Sequence, residues 1–139
     1  MSGKYWRAVL TMVGGLLLAA MPLQAHHSIA SEFDFEKPVE LKGTLTRMDW
    51  INPHPILHLE VTNAEGLPTV WIVQTANSLL GTGVTANLRR LPSQGGLEAG
   101  QTYTISGFAA KNGKPSAFMK SVKMPDGRLV TAWFGDPNG

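Results

Sequence analysis

Residues 56–75 read Ile-Leu-His-Leu-Glu-Val-Thr-Asn-Ala-Glu-Gly-Leu-Pro-Thr-Val-Trp-Ile-Val-Gln-Thr, and their period decides the fold class. Leu57, Leu59 and Val61 fall on one face of a two-residue repeat, with Ile56, His58 and Glu60 on the other. Asn63-Ala64-Glu65-Gly66 supplies turn residues, and the chain resumes as a β-branched run over 69–75. Two antiparallel strands joined by a short turn are expected. Upstream, Val39, Leu41 and Leu45 alternate with Glu40, Lys42 and Thr44 in a strand over 39–50, with a bulge expected at Gly43 and a break at Asn52-Pro53.

Downstream the pattern changes and then returns. Asn77-Ser78 and Thr85 are candidate helix caps before Leu79-Leu80 and the segment 86–91, so one or two short helices are expected there. Alternation reappears over 102–108, Asn112-Gly113 is a strong hairpin signal, and strands follow over 117–124 and 128–134, separated by Pro125-Asp126-Gly127. Three strands, a helical connection and two or three further strands predict an all-β protein with an OB-like barrel of five to six strands; a small β-sandwich is the alternative. The expected division is a signal peptide over 1–25, an extended segment over 26–38, the barrel over 39–134 and a frayed end over 135–139.

The signal expectation rests on Lys4 and Arg7, the uncharged run 8–20 and small Ala25. The run is shorter than the ~20 residues of a membrane-spanning helix, so no permanent anchor is expected after cleavage. Without Lys4 and Arg7, ten basic side chains face ten acidic ones. The cationic surface that replaces counterions along phosphates is missing, and nucleic acid is not an expected partner. With no cysteine there are neither disulfides nor thiolate ligands.

All four histidines lie in two short segments: His26-His27 behind the expected cleavage bond, and His54 with His58 at the start of the second strand. Imidazole ligates transition metals, and cleavage after Ala25 would add a free amine at His26. The pattern suggests a site for Cu(II), or else Zn(II) or Ni(II), built from His26, His27, His54 and His58. Asp49 and Glu60 are candidates to orient the imidazoles. The bland alternative leaves His54 bonded within a turn and His58 on a solvated strand face. A second class of function is a ligand- or protein-binding groove lined by Trp50, Asn52 and Trp71, with Trp133 and Phe118 as further aromatics, although strand aromatics are more often core. Met48, Met119 and Met124 could assist a soft copper site but fit core filling better. An enzyme ranks third: no acid–base pair stands out, and Gly81-Thr82-Gly83-Val84-Thr85-Ala86 lacks the βαβ setting of a dinucleotide site.

Taken together, His26-His27-Ser28, Glu32-Phe33-Asp34, Lys42-Gly43-Thr44, Asp49-Trp50-Ile51-Asn52-Pro53-His54 and Asp126-Gly127-Arg128 resemble the small exported bacterial family called domain of unknown function 6152. The resemblance implies a Gram-negative exported protein with a compact β fold and carries no established activity. It departs from the family pattern at Gln74, where a carboxylate is commoner, and over 78–91. Its most specific elements direct attention to His26, His27, Asn52 and His54. The form isolated from a periplasmic extract is expected to begin at His26; an intact mass that retains residues 1–25 would contradict the cleavage reading.

Overall fold

The computed structural model describes residues 29–51, 54–76, 88–90, 92–133 and 135. A single helical turn, α1 (Ile29–Glu32), leads into β1 (Phe33–Asp49), followed by β2 (Ile56–Thr62), β3 (Pro68–Gln74), a 3-10 turn (Pro92–Gln94), β4 (Thr102–Ala110), β5 (Ser116–Lys123) and β6 (Leu129–Thr131). The expected helices over 79–80 and 86–91 lie outside the described residues except Leu88, Arg89 and Arg90; of these, Leu88 is buried and its carbonyl accepts from the Leu97 amide.

Antiparallel pairs join β3 to β2, β2 to β1, β1 to β4 and β4 to β5, and a parallel pair joins β5 back to β3. The five strands thus bond in a ring with the OB-like order β1-β2-β3-β5-β4. The closing seam is short: Ile72 opposes Ser116, Val73 opposes Ala117 and Gln74 opposes Phe118. Beyond it the same edge of β5 pairs with β6, through Ser121–Thr131 to Lys123–Leu129. One strand edge therefore serves two partners, which leaves less exposed edge than an open six-stranded sheet.

β1 begins at Phe33, ahead of the expected start at Val39, because Phe33 opposes Ala110 and Pro38 opposes Phe108 across β4. Pro38 lies at the end of a register irregularity between Phe33 and Pro38, where the missing N–H interrupts the ladder least. The bulge also lies elsewhere than expected. Thr44 opposes Glu60 and Leu45 opposes Leu59, but Arg47, not Thr46, opposes His58. Thr46 is the extra residue. Gly43 has a different role: a Cβ there would run into the backbone carbonyl of Glu60, so only glycine permits this approach of β1 to β2.

The bulge reverses which side chains of β1 point inward. Before it, Leu41 and Leu45 enter the main core; after it, Met48 and Trp50 pack against that core instead. Leu57, Leu59, Val73, Ile105, Ala117, Met119 and Val122 fill the ring interior and are almost fully buried. Met119 and Met124 are core residues, as their default reading predicted.

A second cluster forms on the outside of the seam. Phe118, between Ala117 and Met119, is also fully buried and meets Phe33 and Trp133, with ring centroids 5.8 Å and 5.6 Å apart. Phe35 and Phe108 complete the group, 4.7 Å from each other. β5 is therefore buried on both faces. Ile29 and Ala76 pack against the same cluster. Two substitutions test this packing. Gly43→Ala is expected to lower stability by about 1–3 kcal/mol through backbone clash, and Phe118→Ala by about 3–5 kcal/mol through cavity formation. Urea unfolding midpoints check both, and an unchanged midpoint in either variant contradicts its placement.

Candidate functional site

The β1–β2 end of the barrel carries both described histidines, in different settings. His54 precedes β2 and is partly buried; its Nδ1 lies 2.9 Å from the Thr75 carbonyl oxygen just past the end of β3. A carbonyl only accepts, so Nδ1 carries the proton and donates. The neutral ring then presents Nε2 with its lone pair. The backbone supports this geometry, since the amide of Thr75, itself buried, donates to the Pro55 carbonyl at 3.0 Å.

His58 points its Nε2 at Asp49 Oδ2, 2.8 Å away, and Arg47 donates to the same oxygen from 2.8 Å. The bulge at Thr46 creates this group. With uninterrupted pairing, Thr46 and Met48 would share the His58 face; the inserted residue places Arg47 and Asp49 there instead. Nη2 of Arg47 also comes within 3.0 Å of His58 Nε2. At 2.8 Å from a carboxylate oxygen Nε2 must carry a proton, so this approach is that of two donors converging on one acceptor. Nδ1 of His58 is the ring atom left for any other partner.

Donation from His58 is the largest effect on the Asp49 carboxyl and, with Arg47 adding a lesser hydrogen bond and charge, holds it below its ordinary value although desolvation opposes them. Asp49 therefore occupies the orienting position expected for it, whereas Glu60 is exposed on the strand. Among the described residues no three histidine or carboxylate side chains gather as a ready-made metal site. His26, His27 and Asn52 lie outside the described residues.

The tryptophans of the expected groove face the core. Trp50, turned inward by the bulge, and Trp71, opposite Leu59, are half-buried against the main cluster. Arg89 covers the Trp50 ring, with its guanidinium carbon 5.9 Å from the centroid. Two of the motif elements have structural explanations. Lys42-Gly43-Thr44 contains the glycine required at the β1–β2 approach, and Asp126-Gly127-Arg128 is a turn in which Asp126 accepts from the Arg128 amide at 2.9 Å and Gly127 adopts a φ of 87°.

Sequence reasoning missed α1 and what it touches. Glu32 of α1 accepts from the Gln74 side chain at 3.4 Å, and the Lys111 amide donates to the Glu32 carbonyl at 2.9 Å. The start of β1 is thereby fixed beside the end of β3, one position along the chain from the carbonyl that holds His54. The isolated apolar residues Ile29 and Phe33 were the only signal, and they were too few to define a period.

The model of the Family of unknown function (DUF6152) matches residues 15–119, which include both histidine segments and the Trp50–His54 element. The chain belongs to this family. No curated protein matches it. The turn at Asp126-Gly127-Arg128 lies beyond the matched residues, in keeping with its structural explanation.

Asp49→Asn should remove stability near neutral pH and leave less difference from wild type in acid. The sign follows from the lowered pKa: the contribution is present above the ordinary carboxylate range of about 4 and is lost as pH falls through the folded-state value. Thermal unfolding at a series of pH values checks this. A gap between variant and wild type that widens below about pH 4 would contradict it.

Proposed function

We propose that this family member is exported to the periplasm of a Gram-negative bacterium, is cleaved after Ala25, and there binds a divalent transition metal through His26, His27 and His54. Copper is the favoured ion, because imidazole and amine nitrogens without thiolates suit Cu(II) better than magnesium or calcium; Zn(II) and Ni(II) share the donor preference. The role is metal handling or sensing rather than catalysis, with a periplasmic protein as the eventual partner.

The observation that carries this reading is the bond from His54 Nδ1 to the Thr75 carbonyl. A ligating histidine commonly donates its other ring N–H to a carbonyl or carboxylate, which fixes the tautomer and the ring orientation. Chain reach supports it. His27 and His26 lie two and three residues before Ile29, a span of at most about 7–11 Å, and Ile29 packs on the same aromatic cluster as Ala76, the neighbour of Thr75. His58 offers only Nδ1, with Asp49 behind the ring, and is the lesser donor.

Cu(II) titration of the cleaved protein against a competing chelator tests the proposal. His54→Ala, and separately one added residue ahead of His26, should each weaken binding by at least ~10-fold, while His58→Ala changes it less. Binding should also weaken as pH drops through about 6, where imidazole protonates. Affinity unchanged by both the His54 substitution and the added residue would overturn the proposal.

A further inference from the structure

A cleft of about 400 Å³ opens on the outside of the β3–β5 seam, between α1 and the β4–β5 hairpin. Phe33 forms its floor, and Glu32, Gln74, Lys111, Asn112 and Ser116 supply polar walls. Its volume falls in the range of small-molecule sites. Its polar chemistry has three features relevant to binding.

First, an anion and a cation line the same cleft without pairing: Glu32 and Lys111 form no ion pair with each other. Second, most of their bonding capacity is unused inside the protein. Among the described residues the Glu32 carboxylate accepts only the 3.4 Å contact from Gln74, and the Lys111 ammonium gives one hydrogen to the Ala30 carbonyl, leaving two. Third, the neutral side chains extend each pole. The Gln74 amide donates to Glu32, which leaves its oxygen as an acceptor beside the carboxylate. Asn112 uses its oxygen to accept from the Lys114 amide at 3.0 Å, which leaves its NH₂ as a donor beside the lysine. Ser116, whose hydroxyl donates to the Ile72 carbonyl, retains acceptor capacity in the same cleft.

We propose that this cleft binds a small zwitterion, a free α-amino acid, with its ammonium at Glu32 and Gln74 and its carboxylate at Lys111 and Asn112. The two charges of such a ligand are separated by a single carbon. They match a site whose own two charges line one cleft and yet lie beyond ion-pair distance. A simple anion would meet Glu32, and a simple cation would meet Lys111, so each is repelled by one pole. A neutral sugar would offer hydroxyls but no opposite charge to either pole, and the cleft has no exposed aromatic face on which a sugar ring could stack, since Phe33 is 2% exposed. Neither His54 nor His58 lines the cleft, and its test is run with a chelator present.

The experiment is a calorimetric titration of the protein, in EDTA, with the twenty common amino acids. The best binder is then compared with its N-acetyl and its carboxamide forms. Saturable binding is expected for at least one amino acid, with both half-blocked forms at least ~10-fold weaker. Glu32→Gln and Lys111→Gln, both at exposed positions, should each cost a similar factor while the far-UV circular dichroism stays unchanged. In ¹⁵N spectra the side-chain amide signals of Gln74 and Asn112 should move on binding. Failure of all twenty to bind, equal binding of a half-blocked form, or affinity unaffected by both substitutions would overturn the proposal. Weakened Cu(II) binding in the Glu32 or Lys111 variants would show instead that the cleft belongs to the metal site.

Discussion

Three residue pairs, Ile72–Ser116, Val73–Ala117 and Gln74–Phe118, convert an antiparallel meander into a ring. Their brevity places heavy demands on the residues around them, because parallel pairing needs burial on both faces to be stable. The chain meets that demand with Ala117 and Met119 toward the ring interior and Phe118 toward the outside, all three inaccessible to solvent. An outward-facing phenylalanine cannot remain uncovered, and Phe33, Phe35, Phe108 and Trp133 close over it. The second cluster is thus a consequence of how the barrel closes.

That consequence reaches the candidate sites. Covering Phe118 requires the beginning of β1, and β1 brings α1 with it, so Ile29 packs on the same cluster as Ala76 and Glu32 accepts from Gln74. The carbonyl of Thr75, between those two residues, is the acceptor that sets the His54 tautomer. The seam therefore places the root of the His26-His27 segment and His54, which among the described histidines is the one with an available Nε2, at the same end of the barrel. The bulge at Thr46 governs the neighbouring face in a comparable way, by sending Trp50 inward and bringing Asp49 to His58.

Much of the fold was legible because its strands alternate. Leu57, Leu59 and Val61 against His58 and Glu60, the Asn63–Gly66 turn and the Asn112-Gly113 hairpin all signal their structure within a few residues, through side-chain period and turn chemistry. Phe33 and Phe35 were not legible as strand, since Pro38 interrupts the run and their partners lie on β4 and beyond β6. Gly43 suggests the bulge because glycine is a common bulge residue; its actual position at Thr46 depends on the register with β2, which no local signal contains. The same shift explains why Trp50 could be read as a surface aromatic. Of the candidate site, the separate roles of His54 and His58 depend on Thr75 and Asp49, and only the latter is near enough in sequence to have been suspected.

The central claim is that the seam brings Ile29, where the segment carrying His26 and His27 joins the fold, to the same end of the barrel as His54, so that under the proposed function one metal ion is held by both. Cu(II) is paramagnetic and broadens amide signals close to it, so ¹⁵N correlation spectra of the cleaved protein at substoichiometric copper test the claim directly. The account predicts that the signals of Ile29, Thr75 and Ala76 broaden together and first, while those of the Asn63–Gly66 turn at the far end of the β2–β3 hairpin persist. Broadening confined to Arg47, Asp49 and His58, or broadening near Ile29 that leaves Thr75 and Ala76 untouched, would contradict it.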